Sequence, residues 1–333
     1  MKHILLIATG GTIASKYTEN GLAPQISAEE IISYVPAAKE FCTIDTESPF
    51  SLDSTNVESS HWLTLAKLIE KKYEYYDGFV ICHGTDTMAY TAAALSYLIQ
   101  NNRKPIVITG AQKPIDLAIT DARSNLLDSL RFASHDRAHG VSIVFGGQVI
   151  AGTRAKKLRS KSYNAFSSIN YPEIANIHDQ RIIFYIDDKE QILRPLKFSH
   201  HMNPNIFLLK LVPGMHGNIL DALFENYDGV IIESFGVGGL PDYGDSSFYK
   251  AIKRWTSAGK FIVMATQVTH EGSDMTIYQV GKELKEQFPV LESYDMTLEA
   301  TVTKMMWAMG QTKDSDEFKK LFYQTINHDI LFV

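Results

Sequence analysis

The chain has 333 residues, of which 45% are hydrophobic and 21% are charged, a balance typical of a globular protein long enough for two domains. Its formal net charge of −6 argues against a general nucleic-acid-binding protein, because such proteins are usually basic. No stretch approaches the roughly 20 apolar residues of a membrane-spanning helix, so the sequence predicts no membrane partner.

Strand-like runs alternate with helical patterns along the first half of the chain. Strands are predicted at 3–8, 41–46, 78–82, 105–108 and 141–145, and helices at 58–72, 87–100 and 120–134. Ser27 and Glu30 form a capping-box pattern that opens a further short helix. Strands 79–81 and 106–108 are apolar throughout, which is typical of a sheet covered on both faces. We therefore expect an α/β fold whose larger N-terminal domain, residues 1–188, has a mostly parallel twisted sheet flanked by helices.

The alternation breaks over residues 187–205, where a charged turn is followed by prolines and histidines with little periodicity. This break predicts a linker at 189–206. A second alternation follows, with strands at 206–211, 229–233 and 261–265 and helices near 217–225, 246–258, 297–309 and 315–325. It predicts a smaller C-terminal α/β domain with a parallel sheet over residues 207–333.

Cellular location is indicated by the cysteines and by the first residues. Cys42 and Cys82 lie in or beside apolar runs, so we expect reduced, buried thiols rather than a disulfide framework. The apolar run at 4–8 is too short for a signal peptide, and a glycine motif follows it at once. We interpret this run as the first strand and expect a cytoplasmic protein.

Two segments place threonine beside glycine directly after a predicted strand. Residues 9–14 read Thr-Gly-Gly-Thr-Ile-Ala, and residues 83–87 read His-Gly-Thr-Asp-Thr. Ligands of open α/β sheets bind at the carboxyl ends of the strands, so both segments are expected to border one crevice. Neither the dinucleotide fingerprint nor a Walker A loop matches these glycines. The pattern indicates hydroxyl nucleophiles rather than a phosphate-binding loop.

Each candidate in these loops has a structural alternative. Asp86 is placed to cap the following helix, whose N-terminus also offers N–H groups to a carboxylate or an oxyanion. His83 is a possible base, but packing beside the strand is the more common role for such a histidine. Residues 53–56 (Asp-Ser-Thr-Asn) read as a helix cap and, at the same sheet edge, as a binding segment.

A hydroxyl nucleophile needs a base, and the densest basic run lies at residues 154–161. Such a run usually forms a solvated surface, yet a buried lysine can serve as the base, as in Ser-Lys arrangements. The run alone does not identify which lysine would enter the crevice. Metal-ligand spacings such as HExxH and CxxC are lacking in the sequence, so we expect no metal and no cofactor.

The segments at 9–14 and 83–87 resemble the two signature segments of the bacterial-type L-asparaginases, and the match is close to the cytoplasmic type I members. The resemblance covers essentially the whole chain. Further stretches that agree with the family are residues 53–55, 109–112, 152–157, 233–236 and 295–300.

This resemblance implies that L-asparagine is hydrolysed to L-aspartate and ammonia. Thr12 would be the nucleophile on a mobile loop and would form an acyl-enzyme. Lys157 would draw a proton from Thr85, while Asp86 would orient the lysine and bind the substrate ammonium. A homo-oligomer, dimer or dimer of dimers, is also implied, with each site completed by the C-terminal domain of a neighbouring subunit.

Further residues of the family pattern concern substrate binding. Ser54 would help to hold the substrate α-carboxylate, with Asp53 and Thr55 beside it. The carbonyl of Ala111 would accept a hydrogen bond from the leaving amide.

The chain departs from the family pattern at two places. Many members carry a lid tyrosine where this chain has Leu22, and Tyr17 is the nearest substitute. An enterobacterial type I member is activated by asparagine at a second site through Thr, Arg and Cys side chains. Here the equivalent residues are Lys156, Glu233 and Val268, so we expect little or no cooperativity.

Three other functions compete with asparaginase activity. Glutamine differs from asparagine by one methylene, which is worth only about 1–3 kcal/mol of discrimination, so a glutaminase-type enzyme is one alternative. The asparaginase-like subunit of an archaeal tRNA amidotransferase is a second, but it carries an extra N-terminal domain, whereas a strand is predicted here from residue 3. A non-catalytic amino-acid-binding module of the same fold is the third. Retention of both threonines, the aspartate and the lysine favours an enzyme.

Overall fold

The protein is described by a computed structural model that covers residues 1–19, 21–187, 194–277 and 279–331. The chain divides into two compact units, Met1–His200 and His201–Val333. The expected linker at 189–206 spans this division, and its residues 189–193 lie outside the described part. Both units contain sheets and helices, so the expected two-domain α/β fold is confirmed.

In the described residues of the first unit, the helices are α1 (Ala28–Ser33), α2 (Ser59–Lys72), α3 (Met88–Leu98) and α4 (Ala122–Ala133). The strands are β1 (Lys2–Ala8), β2 (Ser15–Thr18), β3 (Gly21–Pro24), β4 (Cys42–Glu47), β5 (Gly78–Cys82), β6 (Ile99–Gln100), β7 (Ile106–Thr109), β8 (Val141–Phe145), β9 (Gln148–Ala151), β10 (Ala155–Lys157), β11 (Phe166–Ser168), β12 (Ala175–His178), β13 (Arg181–Phe184) and β14 (Lys197–Phe198).

The main sheet of the first unit has eight strands in the order β13-β12-β9-β8-β7-β5-β1-β4. Strands β4, β1, β5, β7 and β8 are parallel, as the alternation predicts. Ile4, Leu5, Leu6 and Ile7 of β1 are fully buried, which is the burial expected of a sheet covered on both faces. The carboxyl ends of β1 and β5 therefore emerge side by side from a rigid core.

The other edge of this sheet is antiparallel, which the sequence analysis did not predict. Strands β8 and β9 form a hairpin whose two-residue turn consists of Gly146 and Gly147, both at positive φ. Two such residues form the turn that best fits the twist of paired strands. The glycine pair was the available sequence signal for this hairpin.

Two more features differ from the predicted elements. Residues 15–18 and 21–24, for which no element was predicted, pair as the antiparallel strands β2 and β3 directly after the first glycine motif. Helix α3 ends at Leu98 rather than at residue 100, because Ile99 and Gln100 pair with β14. Backbone pairing with a distant segment overrides the local helical pattern there.

The second unit has a four-stranded parallel sheet of β15 (Ile206–Lys210), β16 (Gly229–Ser234), β17 (Phe261–Thr266) and β18 (Leu291–Glu292). Its helices in the described residues are α5 (Asn218–Leu223), α6 (Ser247–Ser257), α7 (Gln279–Gln287), α8 (Leu298–Gln311) and α9 (Ser315–Tyr323). The parallel sheet confirms the expectation, although α7 and β18 were not predicted. Across the described parts of both units, no helix has the length and apolar character needed to cross a bilayer.

Candidate active site

Three loops meet at the carboxyl ends of β1 and β5. Gly10 pairs with Leu52 in an isolated parallel bridge, and the N–H of Gly11 donates to the Leu52 carbonyl at 3.0 Å. The hydroxyl of Thr87 donates to the Ser54 carbonyl at 2.7 Å. The loops of residues 9–14, 52–56 and 83–87 are therefore joined by one backbone and one side-chain hydrogen bond, as their shared position after strands predicts.

Glycine is required where these loops touch. A Cβ on Gly11, whose φ is +76°, would lie 2.4 Å from the Cα of Gly84. A Cβ on Gly84 would lie 2.6 Å from the hydroxyl oxygen of Ser54. No side chain fits at either position, so the two motif glycines allow three loops to approach within contact distance.

The three loops enclose a small pocket of about 130 Å³. Five candidate residues from the sequence analysis line this pocket: Thr12, Asp53, Ser54, Thr85 and Asp86. Ser15 lines it as well, although sequence reasoning did not select it. Its hydroxyl donates to the Gly11 carbonyl at 2.8 Å, and its position three residues after Thr12 was the available signal.

Lys157 is the lysine of the basic run that reaches this pocket. Its ammonium donates to the Thr85 hydroxyl at 2.7 Å and to a carboxylate oxygen of Asp86 at 2.6 Å. Strand β10, which carries Lys157, pairs with β11 so that Lys157 lies opposite Phe166. Only 17% of the lysine side chain is exposed, whereas 59% of Asp86 is exposed. An amine, a hydroxyl and a carboxylate are thus aligned in a chain that can move one proton.

The two aspartates of the site have different local roles. Asp86 does not cap helix α3, which begins after Thr87 without a side-chain capping bond. Asp53 does cap a short 3-10 helix, since its carboxylate accepts from both the N–H and the hydroxyl of Thr55 at 2.9 Å. Thr55 itself is exposed and does not line the pocket.

His83 is a packing residue, as the more common interpretation expected. It is fully buried, with Nδ1 at 2.7 Å from the Gly84 carbonyl and Nε2 at 3.0 Å from the Thr91 hydroxyl, which also accepts from Trp62. Burial lowers the pKa of His83 to about 4, so the ring is neutral at pH 7. Both ring nitrogens are engaged in this network, and His83 is not available as the base.

The last predicted binding residue, Ala111, does not line the pocket. It lies on a loop that contacts both glycine motifs. A Cβ on Gly110 would lie 2.2 Å from the His83 carbonyl oxygen, and the N–H of Ile115 donates to the Ile13 carbonyl at 3.4 Å. The loop of residues 110–115 thus runs beside the pocket.

In the described segments of the chain, no three histidine, cysteine, aspartate or glutamate side chains are grouped so that they could hold a metal ion. The side chains that line the pocket carry hydroxyls and carboxylates, and the Lys157 ammonium binds two of them, Thr85 and Asp86. These groups suit proton transfer and the binding of a small zwitterion.

Comparison with known proteins identifies two family domains. Residues 3–190 match the family described as "Asparaginase, N-terminal", and residues 205–322 match the "Glutaminase/Asparaginase C-terminal domain". An L-asparaginase of Thermococcus kodakarensis is 37% identical over 98% of each chain. A solved structure of the thermostable L-asparaginase from that organism has a TM-score of 0.92 and 35% sequence identity, and the match covers 99% of this chain and 100% of that one.

Two further relatives extend the comparison. L-asparaginase I of Vibrio cholerae is 28% identical and has a TM-score of 0.87 over 99% of each chain. A glutamyl-tRNA(Gln) amidotransferase subunit of Metallosphaera sedula is 33% identical over 96% of this chain and 74% of its own length. The resemblance stated from the sequence is confirmed, and the chain belongs to the asparaginase family of amidohydrolases.

Proposed function

We propose that this protein is an L-asparaginase, which hydrolyses the side-chain amide of L-asparagine to L-aspartate and ammonia. The observation that carries the proposal is the hydrogen-bonded chain of Lys157, Thr85 and Asp86 at the pocket lined by Thr12. The T. kodakarensis L-asparaginase, 37% identical along nearly the full length, supports the choice of substrate.

The proposed first step is attack on the amide by the hydroxyl oxygen of Thr12. A bond forms between this oxygen and the side-chain carbonyl carbon of the substrate, the C–N bond breaks, and the nitrogen leaves as ammonia with the hydroxyl proton. Water then cleaves the resulting ester and releases aspartate. Lys157, as a neutral amine, accepts the hydroxyl proton of Thr85 while Thr85 takes a proton from that water. The bond between the carbonyl carbon and the Thr12 oxygen then breaks, and the proton returns through the same groups to the Thr12 oxygen. Asp86 keeps the lysine in place.

The remaining residues bind the two charged groups of the amino acid. The Asp86 carboxylate, which is more than half exposed, accepts from the substrate ammonium. Ser54 binds the α-carboxylate, with Asp53 and Thr55 beside it, and the Ala111 carbonyl accepts from the leaving amide. General acid–base help of this kind contributes roughly 10²–10⁴-fold to the rate.

Release of ammonia from asparagine tests this proposal directly. The wild-type protein is expected to release one ammonia per asparagine, whereas Thr12→Ala and Lys157→Met are expected to lose at least about 100-fold in kcat. Lys161→Met, in the same basic run but exposed, serves as the matched control and should keep wild-type activity. A wild-type protein without asparagine turnover, or an active Lys157→Met variant, would contradict the proposal.

Hydrolysis of a glutamine-type amide is a second candidate. It is favoured by the amidotransferase subunit of M. sedula, which is 33% identical over 96% of this chain. A ratio of kcat/KM for glutamine over asparagine above one, measured in the same ammonia assay, would favour this second function over the first.

We also propose a homo-oligomer in the cytoplasm, with each site completed by the C-terminal domain of a neighbouring copy. Val212, Phe235 and Val268 follow neighbouring strands of the second sheet, and 40–52% of each is exposed. The second unit has 17 acidic and 11 basic residues, which complements the basic run at 154–161. Cys42 and Cys82 are free and buried, as expected of a reducing compartment.

The oligomer is tested by sedimentation of Phe235→Glu. This change should dissociate the protein and reduce asparagine turnover together, because the site would lose the neighbouring domain. A fully active monomer would contradict the shared site.

A further inference from the structure

Asp121 is a buried carboxylate that the proposed mechanism does not use. It is only 5% exposed and lies directly before α4. Its two oxygens accept from the N–H of Gln112 at 2.9 and 3.1 Å, and one of them accepts from the N–H of Lys113 at 3.1 Å. The other accepts from Asn125 Nδ2 at 3.2 Å. A buried charge is therefore directed at the loop that contains Ala111.

The side chain of Asp121 does not cap helix α4, although Asp121 occupies the capping position. An aspartate before a helix normally accepts from the first N–H groups of that helix, but Asp121 makes no such capping bond. Its carboxylate binds the 110–115 loop instead, while the positive end of the α4 dipole favours its charge. The carboxylate thus accepts hydrogen bonds from N–H groups of the loop rather than from those of the helix.

Asn125 fixes the same loop from the other side of Ala111. This residue is 1% exposed, and its amide nitrogen donates to the Gly110 carbonyl at 3.0 Å. Its amide oxygen accepts from the N–H of Gly146 at 2.9 Å, which ties the loop to the turn after β8. The peptide groups on both sides of Ala111 are thus held by two buried polar side chains, Asp121 directly before α4 and Asn125 within it.

The hydrogen bonds of Asp121 determine the orientation of the Ala111 carbonyl. The C=O of Ala111 and the N–H of Gln112 belong to one planar trans peptide group and point in opposite directions. Fixing the N–H therefore fixes the C=O. A carboxylate on the N–H also polarises the group and makes the carbonyl oxygen a stronger acceptor.

We propose that Asp121 is a positioning residue for amide hydrolysis: it orients and polarises the Ala111 carbonyl, the acceptor for the leaving –NH2 group. This inference rests on the proposed function, since the Ala111 carbonyl matters only if an amide is the substrate. Asn125 supports the same carbonyl from the Gly110 side.

The test compares the Asp121→Asn variant on two substrates that differ in the leaving group. Asparagine offers N–H groups to the Ala111 carbonyl, whereas the β-methyl ester of L-aspartate offers none. Misplacing an active-site group by about 1 Å costs about 100-fold, so kcat for asparagine should fall about 10- to 100-fold while KM changes less than about threefold. The kcat for the ester, relative to the wild-type value, should fall less than about threefold.

Asp128→Asn is the control, because Asp128 is a partly buried carboxylate within α4 whose electrostatic partners are Arg131 and His178 rather than the 110–115 loop. It should leave both substrates unaffected. If Asp121→Asn fails to fold, Asn125→Ala provides the second variant and should show the same selective loss for the amide.

Equal loss of amide and ester hydrolysis in a folded variant would overturn the inference, because a general structural defect lowers both rates. Unchanged asparagine turnover in Asp121→Asn would overturn it as well. Wild-type protein that does not hydrolyse asparagine at all is a different result and refutes the proposed function itself.

Discussion

At the scale of single residues, the hairpin gives Tyr17 a position from which we propose that it serves as the lid tyrosine. It lies on β2 directly opposite Leu22 of β3, the position where many asparaginases carry a lid tyrosine. Two thirds of Tyr17 is exposed, so its ring is free to approach a bound substrate. We therefore expect Tyr17 to supply, from the paired strand, the hydroxyl that the sequence lacks at position 22.

A variant of Tyr17 tests whether this residue acts as the lid tyrosine. Tyr17→Phe removes one hydroxyl and should lower kcat for asparagine about tenfold, the value of one hydrogen bond to a charged group. Tyr75→Phe is the control, because Tyr75 is also exposed and lies away from the hairpin. Steady-state kinetics with asparagine give kcat for both variants. An unchanged kcat in Tyr17→Phe would contradict a lid role for Tyr17.

His83 predicts a dependence of stability on pH. Its pKa is about 4 in the folded protein and about 6.5 when the chain is unfolded, so between these values the unfolded chain binds more protons. Stability is therefore complete above about pH 6.5 and falls as the pH drops toward 4, by up to about 3 kcal/mol from this residue.

Urea unfolding of the wild type and His83→Gln at pH 7.5 and 4.5 isolates this contribution. The wild type should lose more stability than the variant over that interval, because only the wild type has to protonate a buried ring. His270→Gln changes an exposed histidine and should follow the wild-type curve. Parallel curves for His83→Gln and the wild type would contradict the buried neutral state.

At the level of residues, the sequence predicted that the threonine loops lie together but did not identify the lysine that joins them. The position of Thr12 and Thr85 after apolar strands was enough to expect a common crevice. The run at 154–161 did not show which lysine enters it, because Lys157 lies 71 residues from Asp86 and the contact depends on how β10 pairs with β11. Only the family resemblance selected Lys157.

At the scale of elements, a buried ion pair attaches the end of the chain to helix α8. Lys304 and Asp329 are fully buried and 2.5 Å apart, and the lysine also donates to the Gln324 carbonyl at 2.7 Å. The other carboxylate oxygen of Asp329 accepts from the N–H of Ile326 at 2.9 Å. The pair thus fixes the segment that follows α9.

Breaking this pair on one side should be costly. Lys304→Met leaves the Asp329 carboxylate buried without its cation and should reduce the free energy of unfolding by about 3–5 kcal/mol. Lys304→Met combined with Asp329→Asn should recover most of that loss, since no charge remains buried. Denaturant unfolding measures both.

Lys320→Met, which removes an exposed cation near Glu317, is the comparison and should change stability by less than about 1 kcal/mol. A double variant as unstable as Lys304→Met would show that charge burial is not the cause.

Elements were predictable where the sequence is periodic and apolar. Buried strands such as β5 and helices such as α2 were located within one or two residues. The β2–β3 hairpin and β6 were not, because their short segments are specified by cross-strand partners rather than by a local pattern. The Gly146–Gly147 turn shows that a pair of glycines can indicate a hairpin where hydrophobic periodicity does not.

At the scale of the whole molecule, the kinetics are expected to be simple. The family resemblance implies that Lys156, Glu233 and Val268 correspond to the second asparagine site of the enterobacterial member. Glu233 is a buried carboxylate 3.4 Å from Lys210, where that member has an arginine, and about half of Val268 is exposed. A carboxylate repels the α-carboxylate that an arginine would bind, so no activation by asparagine is expected.

Initial rates over a wide range of asparagine concentrations test this expectation. We expect a hyperbolic curve with a Hill coefficient near one. A sigmoidal curve would reveal a regulatory site that these three side chains do not predict.

The contact between Gly11, Gly84 and Ser54 limits how this enzyme can be re-engineered. Libraries that randomise either glycine will consist of chains whose three loops no longer close, whatever the selected substrate. Productive diversity has to come from the hairpin that follows Ser15, where an exposed side chain such as Tyr17 can change in size without displacing the loop backbone. Directed evolution toward other amides therefore has to vary side chains of the hairpin and leave Gly11 and Gly84 unchanged.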